Sequence, residues 1–407
     1  MSWEIKRLDE CCASISDGDH QPPPKAKTGV SFVTISNITD TNQFDFSRAM
    51  HVPEEYYLQL DDRRKARRGG ILYSVVGSFG IPVYIKETVP FVFQRHIAIL
   101  RPNHTVLPRF LYYTMLNRDL YMMADAGAVG AAQRTVSLSA LRGMKIAVPR
   151  MEEQERIVHI LSAYDDLIEN NQRQIELLEE AARRLYREWF VHFRFPGHEA
   201  APAGEGLPAG WAYRPLSAVF SYVRGKSYAS RELSDTAGVL MANLKNIRSF
   251  GGYNRSAEKR FTGRFKEDQT LSAGDVIMGV TDMTQERRLV GHAALVPDTG
   301  EKMTFSMDLI KLVPKLTDSL FLYSALYYGG LSKRISPLAN GVNVLHLKPE
   351  AMMGLEMLVP GAEVLEEYRR QLSPMVAKTE LLQRQCGMAK EARDRLLPKL
   401  MSGEIEV

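Results

Sequence analysis

The chain has 407 residues, 45% hydrophobic and 25% charged, with a formal net charge of +4. That length supports two domains with separate cores, and the slight positive balance permits a nucleic-acid partner without demanding one. No apolar run nears the roughly 18–20 residues of a bilayer span, the N-terminus has no apolar signal core, and Cys11, Cys12 and Cys386 make no disulfide framework, so a reducing cytoplasm and no membrane are expected.

In chain order, Trp3 opens a β-rich stretch that includes the turn Asp17-Gly18-Asp19-His20 and the run Val33–Ile38. Arg63-Arg64-Lys65-Ala66-Arg67-Arg68 is the densest positive run. Strand-like runs follow at Ile71 and over Phe91–Leu100, then a helical pattern over Arg109–Met123 and the closing Ile146-Ala147-Val148-Pro149. From Met151, apolar residues recur in steps of four and three: Ile157, Leu161, Tyr164, Ile168, Asn171, Ile175, Leu178, Ala182, Leu185, Trp189. That is a heptad seam whose one polar member is Asn171. Glu152, Glu153 and Glu155 lie in its first turns and Arg183, Arg184 and Arg187 near its last, which suits the helix dipole. The aromatic cluster Tyr186, Trp189 and Phe190 is expected to pack on the domain that follows. A Pro/Gly/Ala connector then leads to Trp211.

From Trp211 the order repeats. Ala273–Ile277 resembles Gly69–Leu72, and Met303–Leu312 matches Phe91–Leu100. Phe321-Leu322-Tyr323 repeats Phe110-Leu111-Tyr112 at the head of a second helical stretch, Ser319–Arg334, and Met357-Leu358-Val359-Pro360 repeats Ile146–Pro149. A second seam runs through Tyr368, Leu372, Met375, Leu382, Cys386, Ala389, Leu396 and Leu400. It is poorer, with Thr379 and Arg393 in it, and Pro374 is expected to kink it or delay its regular part.

The fold class expected is α+β: two similar domains separated by two long antiparallel helices that pack in coiled-coil fashion, with an internal pseudo-twofold repeat. The domains are 1–150 and 211–361, the helices 151–195 and 362–407, and the linker 196–210. Helix pairing is assigned to Leu161, Ile168, Asn171, Ile175, Leu178, Leu185, Leu372, Met375, Leu382, Ala389 and Leu396. The bland alternative is that each helix merely covers its own domain's core. A helix of about 39 residues is roughly 58 Å long at 1.5 Å per residue. Antiparallel pairing would hold two unlike readers apart, matching an asymmetric DNA target with an unread gap.

The run Met151-Glu-Glu-Gln-Glu-Arg-Ile-Val-His-Ile-Leu-Ser-Ala-Tyr-Asp-Asp-Leu-Ile-Glu-Asn-Asn171 resembles the central helix of type I restriction–modification specificity subunits. So do Leu177–Phe190, Gly206–Trp211, the ending Arg395-Leu-Leu-Pro-Lys-Leu-Met-Ser-Gly-Glu-Ile405 and, more weakly, Asp17–His20. The resemblance spans nearly the whole chain. It implies two target-recognition domains on double-stranded DNA and no chemistry in this chain. Two modification subunits would methylate adenine after flipping it from the stack, and motor-nuclease subunits would join for restriction. S-adenosylmethionine, ATP and Mg would then belong to the partners, and this chain would hold no cofactor.

Catalytic motifs are lacking: Gln21-Pro-Pro-Pro-Lys25 lacks both ends of an amino-methyltransferase motif, and there is no phosphate loop or metal-spaced His/Cys set. His20 beside Asp17 and Asp19 is expected to bond to its neighbours or face DNA rather than hold a metal. Candidate DNA contacts are His20, Lys25, Asn37, Arg64, Arg67, Ser78, Arg95, Gln133 and Arg134 in the first domain. In the second they are Lys226, Asn243, Lys245, Asn246, Arg287, Arg288 and Asn343. Arg, Gln and Asn can make paired bonds to base edges; the competing reading for each is a solvated residue or a turn-former. Two other function classes stay open on sequence alone: a protein-binding scaffold without specific DNA binding, and a self-sufficient DNA enzyme.

Overall fold

A computed structural model describes residues 3–39, 42–47, 49–131, 133–200, 203–204 and 206–407. Residues 201, 202 and 205 of the expected linker lie outside the described residues. The chain divides into two compact units, Met1–Asn170 with Gln385–Val407, and Asn171–Arg384. The division runs through both long helices, Met151–Phe190 and Ala362–Met401, so each helix contributes one part to each unit. Each unit therefore contains a domain and a stretch of both helices.

In the first unit, strands Cys12–Asp17, Ile97–Pro102, Ile71–Ser74 and Pro82–Tyr84 form an antiparallel sheet in that order. Its central strands are buried on both faces, and alternation decides which core each side chain joins. Ile71, Tyr73, Ala98 and Leu100 face helix Pro108–Leu116 and the long helices; Leu72, Ile97 and Ile99 face a second sheet. That second sheet, Met50–Val52, Val30–Val33 and Phe91–Phe93, pairs its last two strands in parallel.

The second unit repeats this plan. Phe220–Arg224, Leu309–Pro314, Val276–Gly279 and Ala293–Leu295 make the antiparallel sheet, and Val239–Ala242 pairs in parallel with Met303–Phe305. Val276 and Met278 face one core while Ile277 faces the other. In both units a short strand pair ties the start of the domain to its end: Glu4–Arg7 with Lys145–Val148, and Ala212–Pro215 with Glu356–Val359. A long helix of 40 residues follows each pair at once. Equivalent residues from Phe110–Phe190 to Phe321–Met401 keep a constant spacing of about 211, read from the matching helix and strand ends.

Two expected helices are broken. Arg109–Met123 becomes Pro108–Leu116 and Arg118–Gly127, because Asn117 takes an extended conformation and caps the second piece through its side chain. Ser319–Arg334 breaks at Gly330, whose φ of 76° is a left-handed value that glycine adopts without penalty.

The long helices run antiparallel within each unit. In the first, Ile157 and Leu161 share a core with Leu397, Leu400 and Met401, and further along Asp165 bonds Arg393 at 2.5 Å. In the second, Tyr186, Trp189 and Phe190 surround Tyr368 with ring centroids 6.4, 5.8 and 4.8 Å away, and all four join the domain core. Of the assigned pairing residues, Leu161, Ile168, Asn171, Leu372, Leu382 and Ala389 are buried; Ile175, Leu178, Leu185, Met375 and Leu396 are half-buried. Leu397, rather than Leu396, is buried near the end of the second helix. A straight helix turns every 3.6 residues, so a stripe counted by sevens drifts off the core within a few turns. Pro374 does not interrupt the second helix. Its ring lies on the exposed face, and the neighbouring Ser373 hydroxyl donates to the Arg369 carbonyl at 2.7 Å.

Candidate nucleic-acid interface

At the end of the antiparallel sheet, each unit ties its loops with the same backbone bonds. In the first, Gly18 N donates to Ile97 O, Asp19 N to Phe93 O and Arg95 N to Asp19 O. In the second, Gly225 N donates to Leu309 O, Lys226 N to Phe305 O and Met307 N to Lys226 O. The glycine is required in both by close approach: a Cβ on Gly18 would lie 2.3 Å from the Phe93 carbonyl oxygen, and one on Gly225 2.0 Å from that of Ser306. The Asp17–His20 turn thus has a counterpart, Arg224–Ser227, whose sequence gives no hint of it.

Two further loops join this face in each unit. A hairpin closes through Val129 and Thr135 in the first and through Asn340 and His346 in the second, turning at Gly130 and Gly341, both with positive φ. The other loop links the third and fourth strands of the sheet. Ser74 N bonds Ile81 O across six residues, whereas Gly279 N bonds His292 O across twelve. The longer loop is organised by Asp282, fully buried at its base. One Asp282 oxygen accepts from Thr284 N and Oγ1, both at 2.8 Å, and the other from Leu289 N at 2.6 Å and Val290 N at 3.1 Å. Burial alone would raise this carboxyl's pKa, but the hydrogen bonds outweigh it and hold the pKa below the ordinary aspartate value.

In the first unit, Arg95 and Gln133 are exposed and line one cleft with Asp17, His96 and Thr135. Gln133 also lies near Gly77, next to exposed Ser78. Arg134 pairs with Asp125 and sits 5.6 Å from the Phe79 ring centroid, so it arrives oriented. His20 bonds Asp17 at 2.6 Å. These five residues, His20, Ser78, Arg95, Gln133 and Arg134, come from loops bound together by those bonds and by Val75 N to His96 O, Gly77 N to Arg134 O and Val136 N to Val75 O. Lys25 is exposed but follows the turn on a separate stretch, where Ala26 N donates to His51 O. In the second unit, Lys226, Arg287, Arg288 and Asn343 lie on the corresponding loops, and Gln285 Nε2 joins two of them by donating to Val342 O at 2.8 Å.

Other candidates are committed elsewhere. Asn246 is fully buried: its side-chain oxygen accepts from Asn243 N at 2.8 Å and its Nδ2 donates to Asn254 O at 2.8 Å. Asn243 is buried too, donating to Ala257 O at 2.6 Å. Asn37 repeats the arrangement, accepting from Thr34 N at 2.9 Å and donating to Asp45 O at 3.3 Å. All three amides fasten the turn after a strand, and burial takes Asn243 and Asn246 away from the DNA contact expected of them. Between the two buried ones, Lys245 is exposed. The basic run is partly neutralised by carboxylates. Arg63 pairs with Asp61 at 3.0 Å, Arg67 with Asp62 at 2.5 Å and Arg64 with buried Asp19 at 3.5 Å. Arg64 and Arg67 are thus less free for phosphate than their density in the sequence suggests.

Apolar tips that no sequence pattern singles out also join this face. Met283, Met307 and Val342 are 79%, 58% and 88% exposed on the second unit's loops. Apolar groups there suit contact with a thymine methyl or a base step. Their only sequence signal is an apolar residue inside a polar loop. Among the described residues no group of three or more His, Cys, Asp or Glu side chains is placed to hold a metal, and no helix is long and apolar enough to cross a membrane.

Residues 2–180 match the family described as the type I restriction modification DNA specificity domain. The MjaIX type I restriction enzyme specificity subunit of Methanocaldococcus jannaschii is 23% identical, in an alignment spanning 100% of this chain and 94% of that one. The HindI specificity subunit of Haemophilus influenzae is 21% identical over 84% of this chain and 88% of its own. The crystal structure of the type I system S subunit from M. genitalium has the same fold, with a TM-score of 0.59 at 14% identity, covering 98% and 96% of the two chains. The chain is thus similar over its whole length to specificity subunits of type I restriction–modification systems, and its residues 2–180 match the DNA specificity domain family.

Proposed function

We propose that this chain is the non-catalytic subunit that gives a type I restriction–modification complex its DNA sequence. It reads a bipartite, asymmetric duplex site, one half with the loops of each unit. The observation that carries this reading is the shared scaffold with unlike tips: matching backbone ties hold the loops of Arg95 in one unit and Lys226 in the other, and unlike loops beside them carry Gln133 and Arg134, or Arg288 and Asn343. Base-edge contacts specify sequence while phosphate contacts only position, and both residue types are present on this face.

In this proposal the exposed flanks of the long helices carry two modification subunits, with motor-nuclease subunits added for restriction. The partners supply S-adenosylmethionine, ATP and Mg, and this chain's residues hold the complex over the target. The test is co-expression with the cognate modification subunit, followed by single-molecule mapping of methyladenine. One split sequence should be methylated, and only when this chain is present. A methylome indifferent to its deletion overturns the reading, and methylation by the purified chain alone would make it an enzyme instead. Binding should also weaken steeply between low and moderate salt, as expected when phosphates are neutralised; a scaffold that binds only proteins would show no specific duplex binding.

A further inference from the structure

The constant spacing of the repeat sets Ala182 against Arg393, and Val376 against Asp165. In the first unit Arg393 and Asp165 form an ion pair at the junction of the long helices and the helix Pro108–Leu116. The Arg393 side chain is only 11% exposed, and Asp165 also accepts from the Tyr113 hydroxyl at 2.7 Å. Tyr112 lies against Tyr113 with ring centroids 5.2 Å apart. A guanidinium is held here by two carboxylates, Asp165 and Asp394, the first of which also takes the Tyr113 hydroxyl, an environment suited to its flat, weakly hydrated cation.

In the second unit the guanidinium and the Asp165 carboxylate are both gone, and a cavity of about 130 Å³ borders Ala182 and Val376. Its wall carries Tyr323, Tyr327 and Tyr328, whose ring centroids lie 5.4, 6.1 and 5.0 Å apart pairwise. One helical turn before Ala182, Glu179 brings a new carboxylate to the same wall, which also carries the Arg248 guanidinium, more than 4.0 Å from that carboxylate. Glu179 is half-buried, and among the described residues it has no ion-pair partner within 4.0 Å. Burial raises its pKa, an effect offset in part by Arg248 and Arg183. A partly desolvated carboxylate without a close cation is costly. Glu380, the other carboxylate on the wall, is already bound to Arg255 at 2.7 Å.

We propose that this cavity is a guanidinium site, which accepts from another molecule the group that Arg393 supplies internally in the first unit. The ligand is an arginine side chain of a protein docked on the long helices, or a free guanidinium compound; the chemistry is shared. The inference does not depend on the DNA-reading role, and its test needs no DNA.

The full-length chain is titrated with acetyl-arginine methylamide, with the neutral isostere acetyl-citrulline methylamide, and with agmatine, by ligand-observed NMR. The arginine probe should bind at least tenfold more tightly than the citrulline probe. Glu179→Gln should weaken it at least fivefold, and Ala182→Arg, which fills the cavity from within, should abolish it. Circular dichroism confirms that each variant is folded; Glu179→Gln, a near-isosteric change, carries the test if Ala182→Arg fails to fold. Tighter binding of acetyl-arginine methylamide than agmatine supports a protein-borne arginine, and the reverse order supports a free guanidinium compound. Equal binding of the arginine and citrulline probes, no binding of either, or indifference to Glu179→Gln overturns the proposal.

Discussion

Asp282 shows how one buried carboxylate sets the shape of a reading loop. Its four accepted hydrogen bonds span Thr284 to Val290, so its loss frees the segment that carries Arg287 and Arg288. Because its folded pKa lies below the unfolded value, its contribution is present above the unfolded pKa and is lost as pH falls through the folded one. Asp282→Asn should therefore lower the thermal midpoint at neutral pH and flatten the acid limb of stability against pH; an unchanged acid limb would remove Asp282 from this role. The fully buried Asn246 gives a second expectation. Asn246→Ala leaves buried backbone groups unpaired and should cost about 1–3 kcal/mol in chemical denaturation, far more than an exposed contact residue would.

Among the elements, the long helices are stabilised chiefly where they meet a domain core. Leu161→Ala or Leu372→Ala, both at fully buried positions, should each cost about 2–5 kcal/mol by denaturant unfolding. Pro374 supports the opposite expectation. It sits in an unbroken helix without a backbone N–H, so Pro374→Ala should raise stability, by up to about 3 kcal/mol. A lowered thermal midpoint would show that the ring makes a contact worth more than the missing hydrogen bond.

How much was legible followed the same divide. The matches of Phe91–Leu100 to Met303–Leu312 and of Phe110 to Phe321 were readable because buried strands and helix faces demand apolar residues at fixed intervals. The correspondence of Gly18 with Gly225 was not, since it rests on a carbonyl brought in from a distant strand. Asn243 and Asn246 looked like readers because an amide that bonds a base has the same composition as one that bonds a turn. The basic run misled for a related reason: Asp61 and Asp62 stand beside it in sequence, but Asp19 reaches Arg64 only through the fold.

For the whole molecule, two unlike loop sets on one repeated scaffold predict separable effects. Arg95→Ala or Gln133→Ala should relax one half of the methylated sequence, and Arg288→Ala or Asn343→Ala the other. Each change should cost about 1–3 kcal/mol in binding where the residue meets a base edge. Substitutions in both sets that relax the same half would contradict the assignment of one half-site to each unit.

The unequal loops have a mechanical consequence. Before them the two copies are out of step by 205 residues, from Ile71 to Val276, and after them by 211, from Tyr84 to Leu295. The six additional residues are absorbed between two hydrogen-bonded strand ends, and the paired strands on either side keep their register. Both long helices still begin after the same Val-Pro step and run for the same 40 residues. A recognition loop of this protein can thus be lengthened or shortened without rephasing the surface offered to the rest of an assembly, leaving vocabulary and grammar to vary independently.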